Sequence, residues 1–201
     1  MQLQTSFDHC NLDIVDPTHE LWPQVIRHVS QRYQQAFQAE LKAFMPAYLT
    51  LFDHHQIASV CGFRVASEES LFLEQYLDVP AQELISQLFD QKVDRTSLVE
   101  FGHLASFAKW VSPYHFLLIA ERLVESGYEW CIFTATDPLF VLMSRLGLKP
   151  KLITRADANK VTDADKIWGT YYDHQPNVFA GSLIKGLQRL SLIHQKTGKI
   201  A

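Results

Sequence analysis

The chain has 201 residues, of which 47% are hydrophobic and 20% charged, and its formal net charge at pH 7 is -4. This length and composition predict a single domain over residues 1–201 with enough apolar side chains to form a core. The negative charge argues against binding nucleic acid over the whole surface, and no apolar run reaches the ~18 residues of a membrane-spanning helix.

The spacing of apolar residues predicts the first elements along the chain. Asp16-Pro17 is typical of a helix start, and apolar residues then recur every three to four positions. His54 and His55 lie in a polar link between two extended runs, which predicts a hairpin. The elements are a helix over residues 16–43, strands over residues 47–52 and 57–66, an apolar run of undecided type over residues 71–77, and a short helix over residues 80–89.

The second half of the chain alternates between strand-like and helical patterns. Gly127 and Gly147 each follow a helical stretch and are typical of helix ends. This alternation predicts an α/β fold, in which a central mixed, twisted sheet carries helices on its faces. The elements are strands over residues 97–104 and 128–136, helices over residues 116–127 and 137–147, and strand-like pieces around Leu152, residues 168–172 and Val178.

The C-terminal segment, about residues 181–200, differs from the rest of the chain in charge. No Asp or Glu follows Asp173, and apolar residues alternate with bases at helical spacing, which predicts a basic amphipathic helix. Its basic face is either solvated while the helix packs on the core, or it docks an acidic partner or an anionic membrane surface. The bases of this segment are Lys185, Arg189, Lys196 and Lys199.

The N-terminus and the cysteines bear on the compartment. The N-terminus has neither the basic nor the apolar region of a secretory signal. Cys10, Cys61 and Cys131 are odd in number, lie far apart and form no CxxC motif, as is typical of free thiols in a reducing compartment. We therefore expect a cytoplasmic protein.

Several motifs that would assign a chemistry are missing from the sequence. Its nine histidines include no HExxH motif and no paired Cys/His spacing, so we expect no metal site. It also has no GxSxG motif for a nucleophilic serine and no P-loop for phosphate.

Several stretches resemble known protein families. The order of the elements and the stretch LMSRLGL at residues 142–148 are similar to the GNAT acyltransferases. CGFR at residues 61–64 and VEFGHLA at residues 99–105 resemble the acyl-homoserine-lactone autoinducer synthases, which share that fold. A closer resemblance, over nearly the whole chain, is to the bacterial thermostable hemolysin family. It rests on LFLEQYLD at residues 71–78, residues 99–106, FTAT at residues 133–136 and WGTYY at residues 168–172.

The resemblance implies a GNAT-like fold whose fourth and fifth strands splay apart to hold an acyl donor. The implied activity moves an acyl group from an acyl-CoA or acyl-carrier-protein phosphopantetheine thioester onto a small-molecule amine. Backbone groups around Leu104, Ala105, Phe133 and Thr134 would hold the pantetheine arm in the gap.

The segment that would hold the pyrophosphate of coenzyme A departs from the GNAT pattern. Residues 107–115 contain no glycine, and Lys109 leaves one cation there. Bare glycine backbone is what normally approaches phosphate closely. The autoinducer synthases share this departure and commonly take their acyl group from an acyl carrier protein, which is acidic and would suit the basic C-terminal face.

The resemblance also implies the catalytic groups. Glu100, on a strand of otherwise apolar residues, is the candidate base or amine anchor, and burial would raise its pKa toward neutrality. Arg64 and His103 are its polar partners, although a purely structural pair of Glu100 and Arg64 on neighbouring strands is an equal alternative. The tyrosine acid of many GNAT enzymes is replaced by Met143, so Tyr171 or Tyr172 can serve only if the fold brings one to the cleft.

Two other functions stay open from the sequence. One is a membrane-active haemolytic effector, whose C-terminal segment would contact a lipid surface without spanning it. The other is a degenerate GNAT-like fold that binds an acyl ligand without turnover, as the missing glycines and tyrosine suggest.

Overall fold

The computed structural model describes residues 9–106 and 112–197. At its centre is a seven-stranded mixed sheet in the order β1-β2-β3-β4-β5-β7-β6, which confirms the predicted α/β sheet fold. The strands are β1 (Cys10–Val15), β2 (Ala47–Asp53), β3 (Gln56–Val65), β4 (Leu98–Ser106), β5 (Trp130–Ala135), β6 (Lys151–Arg155) and β7 (Asn177–Ser182).

Helices cover both faces of this sheet. In the described part of the chain, no helix is long and apolar enough to cross a membrane. Two 3-10 helices, Phe72–Tyr76 and Tyr171–His174, matter for the site below. The α-helices are α1 (Trp22–Phe37), α2 (Ala81–Phe89), α3 (Ser112–Glu125), α4 (Asp137–Arg145), α5 (Ala164–Trp168) and α6 (Leu183–Thr197).

The first helix is shorter than the predicted helix over residues 16–43. Asp16 accepts a hydrogen bond from the backbone of Thr18 at 2.8 Å, which forms a local turn rather than a helix cap. The helix begins at Trp22, with a proline in its first turn. It ends where Gln38 adopts a left-handed conformation with φ 57°. Tertiary contacts beyond that point, such as Glu40 N–H to the Ile167 carbonyl, replace the helical bonds.

One predicted strand is wrong, and one strand of the sheet was not predicted. Residues 168–172 form the end of α5 and the start of a 3-10 helix, because Gly169 turns the chain at φ 53° directly against the backbone of Phe37. Strand β1 was not predicted, because its six residues carry only a short alternation of apolar side chains. It pairs antiparallel with β2 at the edge of the sheet.

Alternate residues of the central strands point to two separate cores. Leu98 and Ile132 face α2 and the Phe72–Tyr76 helix, and residues of β2, β3 and β4 continue this layer beneath α1. Val99 and Phe133 point the other way, toward α3, α4 and the start of α6. We call these the α1 face and the α3 face.

A bulge in β4 separates it from β5. Gly102 pairs with Gly62 of β3 and Ala105 pairs with Val60, so two residues of β4 oppose one residue of β3. His103, the first of the two, has a left-handed φ of 51°. The parallel pairing of β4 with β5 stops just before the bulge, at Phe101 opposite Phe133. The predicted splayed strand pair is therefore present.

A buried histidine fixes the start of α3 to the sheet. His115 is fully buried, with Nδ1 2.9 Å from the Ser59 hydroxyl and Nε2 3.0 Å from the Leu49 carbonyl. Because that carbonyl can only accept, Nε2 carries the proton and Nδ1 accepts from Ser59. Burial lowers the pKa of His115 to about 4.

This depressed pKa predicts a loss of stability in acid. The unfolded chain takes up a proton on His115 near its ordinary pKa of 6.5, whereas the folded protein resists it down to about 4. This group therefore lowers the free energy of unfolding by about 1.4 kcal/mol per pH unit as the pH falls between those values. Urea unfolding of His115→Gln at pH 7, 6 and 5 should show a shallower pH dependence than the parent.

The matched control is His55→Asn, at an exposed turn position where asparagine tolerates the left-handed backbone. It should keep the pH dependence of the parent. Equal slopes for the His115 variant and the parent would contradict the assignment.

Candidate active site

The parted ends of β4 and β5 form a slot that opens into a cavity of about 540 Å³. His103 and Leu104 of β4 line one side, and Thr134 of β5 lines the other. Tyr171, from the 3-10 helix after α5, also lines the cavity. Beyond Phe133, strand β5 pairs with β7 and not with β4, so backbone groups on its slot edge have no partner strand among the described residues.

The cavity continues from the slot along the α3 face of the sheet. Along β5 it reaches from Thr136 to Cys131, about 17 Å at the rise of an extended chain. At its far end lie Leu148 and Gly186. The walls between are mostly apolar and include Phe116, Ile119, Ala120, Phe133, Leu139 and Met143.

His103 is held at the mouth of the slot as a neutral ring. It is 7% exposed, and its Nδ1 lies 2.9 Å from the hydroxyl oxygen of Tyr48. Burial lowers the pKa of His103 to about 4, so the ring is uncharged near pH 7. The aromatic rings around it belong to Tyr33, Phe44, Tyr48 and Trp168.

The hydrogen bonds at Tyr48 assign the tautomer of His103. The Tyr48 oxygen accepts from the Met45 backbone N–H at 3.3 Å. Its own O–H is left to donate, and His103 Nδ1 is the acceptor that the described residues offer. The proton of the neutral imidazole is then on Nε2, which makes His103 a hydrogen-bond donor at its other nitrogen.

Glu100 is a buried carboxyl beside the slot, on the α1 face. Its side chain is 2% exposed, and one oxygen accepts from the Leu73 backbone N–H at 2.9 Å. The other lies 3.4 Å from Nε of Arg64, the residue opposite it on β3. Burial raises the pKa of Glu100 to about 7, and the Leu73 N–H and Arg64 offset only part of that rise. A carboxyl of this pKa can take a proton at neutral pH.

Arg64 connects Glu100 with the surface. Its Nη1 donates to Glu69 at 3.1 Å and to the Ser70 carbonyl at 3.2 Å. Its Nη2 lies 3.3 Å from the sulfur of Met45, whose side chain packs over Gly62 and Gly102. The Glu100–Arg64 pair therefore lies next to the slot, with Met45 covering the two strands between that pair and His103.

The fold brings one of the two candidate tyrosines into the cavity. The Tyr171 hydroxyl donates to Oγ1 of Thr134 across the slot at 2.9 Å, and burial raises the pKa of Tyr171 to about 12. It is therefore a neutral donor at physiological pH. Tyr172 turns away, and its hydroxyl lies 2.6 Å from the hydroxyl of Tyr76. The two side chains diverge because consecutive residues of a 3-10 helix point in directions about 120° apart.

The predicted site residues divide into three groups. Those that line the cavity are His103, Leu104, Phe133 and Thr134. Those that lie beside it are Glu100 and Arg64, together with Ala105, which is buried against α1 in a cluster with Val60. Lys109 lies outside the described residues.

Two contributors, Tyr48 and Met45, could not be found from the sequence, whereas Arg32 resembles the N-terminal arginine of the autoinducer synthases. Tyr48 lies in β2 and Met45 just before it, so both are far from His103 in sequence. No spacing pattern links either residue to His103. Arg32 of α1 lines the cavity and donates from Nε to the Ser106 carbonyl at 3.1 Å, beyond the bulge.

Comparison with known proteins places this geometry in context. The sequence model that describes the thermostable hemolysin family matches residues 15–187 of this chain. A search of curated proteins found no match.

Solved structures of low identity share the fold over nearly the whole chain. FeeM, an N-acyl amino acid synthase from uncultured soil microbes, is 12% identical, with 90% of this chain and 95% of that chain covered and a TM-score of 0.57. MesI, a CoA-dependent acyl-homoserine lactone synthase, is 10% identical, with 94% and 95% covered and a TM-score of 0.59. BjaI, another such synthase, solved with SAM and isopentyl-CoA, is 10% identical, with 94% and 90% covered and a TM-score of 0.57.

The raised pKa of Glu100 predicts that this carboxylate costs stability when ionised. A carboxyl whose folded pKa lies above its ordinary value destabilises the folded state as the pH rises between the two, here from 4.5 to about 7. Glu100→Gln keeps an acceptor for the Leu73 N–H and removes the buried charge. Urea unfolding should show this variant more stable than the parent by about 1–3 kcal/mol at pH 8, with the gain lost by pH 5.

Glu74→Gln is the matched control, for which we expect a change in stability of the opposite sign. The hydrogen bonds and charge of Arg95 lower the pKa of Glu74, so its ionised form stabilises the fold. This variant should be less stable than the parent at pH 8. If Glu100→Gln behaves in the same way, Glu100 is a structural ion-pair member instead.

Proposed function

The chain belongs to the thermostable hemolysin family, and we propose that it is an N-acyltransferase that moves an acyl group from a coenzyme A thioester to a small amine. The observation that carries this proposal is the slot between β4 and β5. A pantetheine arm is an extended chain with amide groups, so it can bind between two parted strands as an added strand does. Backbone around Leu104, Ala105, Phe133 and Thr134 would hold it.

The acyl chain of the donor occupies the cavity on the α3 face. The apolar walls match a hydrocarbon, because burying each methylene group there contributes about 0.8 kcal/mol. The depth of about 17 Å along β5 favours long acyl chains over short ones. The thioester carbonyl then lies at the slot, between His103 and Tyr171.

The reaction needs one base and one acid. The amine nitrogen attacks the thioester carbon, a C–N bond forms, the C–S bond breaks, and the proton of the amine passes to Glu100. The thiolate of coenzyme A takes the proton of the Tyr171 hydroxyl, and exchange with water restores both residues. His103 donates from Nε2 to the carbonyl oxygen as negative charge develops on it. Arg64 holds the Glu100 carboxylate in place.

The position of Glu100 also defines the path of the amine. The carboxylate lies on the Arg64 side of β4, so the acceptor amine approaches from the α1 face and not through the acyl cavity. Met45 is buried over this path, and its unbranched, flexible side chain must move aside to open it. Donor and acceptor therefore enter from opposite faces of the sheet and meet at the bulge.

An acyl carrier protein is a second donor that the surface charge favours. Helix α6 packs against α3 and runs antiparallel to it, because it begins beside the amino end of β5 and the ring of its His194 lies 5.7 Å from that of Tyr114. Lys185 therefore lies at the far end of the cavity, which it helps to line, whereas Lys196 lies near the end of the sheet where the slot opens. A carrier that delivers a thioester to the slot would contact the Lys196 end.

The membrane-active alternative has less support in α6. Its apolar residues Leu183 and Leu190 are buried, so this face is already packed on the domain. Ile184 and Leu192 remain exposed. Leakage of dye from liposomes incubated with the purified protein, with no acyl donor present, would favour that alternative.

Release of free thiol tests the proposal. Purified protein incubated with butanoyl- to hexadecanoyl-coenzyme A and a panel of amines should release coenzyme A only with an amine, and fastest with the longer chains. Glu100→Gln should slow turnover about 100-fold or more, because the base is lost. Glu69→Gln removes the exposed partner of Arg64 and should stay within about twofold of the parent. Stabilisation by acyl-coenzyme A without thiol release would instead indicate ligand binding without turnover.

Substitution of two adjacent tyrosines tests whether Tyr171 is the general acid. Tyr171→Phe removes the hydroxyl that faces Thr134 and should lower kcat about 100-fold with little change in donor KM. Tyr172→Phe removes a neighbouring hydroxyl that contacts Tyr76 and should leave kcat unchanged. Equal effects of the two substitutions would exclude Tyr171 as the acid.

Charge reversal tests the carrier. Lys196→Glu should weaken binding of an acidic acyl carrier protein about fivefold in titration, the size expected for exposed charge pairs. Lys185→Glu, on the same helix but at the far end of the cavity, should leave the affinity for a carrier without an acyl chain unchanged. The same affinity for both variants and the parent would remove the carrier from the proposal.

A further inference from the structure

A cluster of metal-ligating side chains lies at the edge of the sheet, away from the slot. His9 precedes β1, Cys10 begins β1, and Asp53 ends β2. Cys10 and Asp53 are direct partners across the two strands, so their side chains project from the same side. One donor atom from each of His9, Cys10 and Asp53 lies within 4.8 Å of the others.

A second histidine faces the same carboxylate. Nε2 of His9 lies 3.2 Å from Oδ1 of Asp53, and Nε2 of His54 lies 3.9 Å from the same oxygen. The two imidazole rings stack with their centroids 3.9 Å apart and their planes 8° apart. This Asp53 oxygen is buried, and no hydrogen bond of good geometry reaches it from the described residues. The side chains of His9, Cys10 and His54 therefore lie around the Asp53 carboxylate.

We propose that His9, Cys10, Asp53 and His54 form a zinc site that ties β1 to the turn between β2 and β3. Imidazole, thiolate and carboxylate are the ligands that zinc takes, at about 2.0–2.3 Å and in tetrahedral geometry. Ligand atoms in such a site lie about 3.3–3.8 Å apart. The two histidine–aspartate separations lie within about 0.1 Å of this spacing. Because the stacked rings lie in nearly parallel planes and an imidazole binds a metal in its ring plane, His54 must rotate, as must Cys10, to complete the site.

The chemistry of binding is simple and involves no redox step. The thiol of Cys10 loses its proton to solvent as its sulfur bonds to the metal, and the two histidines bind as neutral rings. Without a metal, burial and the charge of Asp53 raise the pKa of the Cys10 thiol, so proton release on binding is expected near neutral pH. Sequence spacing gives no hint of the site, because its ligands come from two strands about forty residues apart, a separation that sheet pairing closes.

Metal titration of the full chain, free of any purification tag and treated with a chelator, tests this proposal. Equilibrium dialysis should find one zinc ion per chain, and cobalt should give the absorption of a thiolate-bound tetrahedral ion. Cys10→Ser should lose the thiolate band of the cobalt-bound protein. Cys10→Ser and Asp53→Asn should each weaken zinc binding more than about tenfold. Zinc should also raise the melting temperature of the parent and not that of either variant.

The control is His55→Asn, one residue beyond the proposed ligands. It should bind zinc as the parent does. The proposal is overturned if the parent binds no stoichiometric zinc, if Cys10→Ser and Asp53→Asn bind as the parent does, or if His55→Asn loses as much affinity as they do. Melting of each metal-free variant shows whether it is folded, so loss of fold and loss of ligand are distinguished.

Discussion

The left-handed conformation of His103 is the constraint on which the rest of the site depends. It inserts an extra residue into β4. The pairing of β4 with β5 stops at Phe101, two residues before His103. Such a conformation costs a non-glycine residue about 1–2 kcal/mol, and here the bond to Tyr48 and the surrounding aromatic rings hold it. Without the bulge, the two strands could pair further and close the slot.

Burial shifts the pKa values of the two titratable groups of the proposed mechanism in the same direction. It raises the pKa of Glu100 to about 7, so this carboxyl can exchange a proton at neutral pH. It raises the pKa of Tyr171 to about 12, so this phenol carries its proton at neutral pH and is available as a donor. Glu74, bound by Arg95, shows the reverse, since its pKa is lowered and its charge stabilises the fold. When ionised, Glu74 thus stabilises the fold, whereas Glu100 destabilises it.

The sequence was sufficient for the fold class and for most elements, because their apolar spacing is regular. It also identified β4 and β5 and the side chains that border the slot, through the resemblance carried by residues 99–106 and 133–136. It failed where tertiary contacts override local pattern. The aromatic residues at 168–172 resemble a strand, yet Gly169 turns the chain there, and of these aromatics Tyr171 lines the cavity. The contacts of Met45 and Tyr48 with the slot depend on strand register and could not be predicted from spacing.

Amide hydrogen exchange with a bound donor analogue tests the slot most directly. A thioether analogue of a long-chain acyl-coenzyme A cannot transfer its acyl group, so it should stay bound between the strands. Its binding should slow exchange at the backbone amides of residues 102–106 and 134–136, where the strands have parted, while β1 is unaffected. Binding that leaves these amides unchanged, or that protects only the opposite edge of the sheet, would contradict a donor site between β4 and β5.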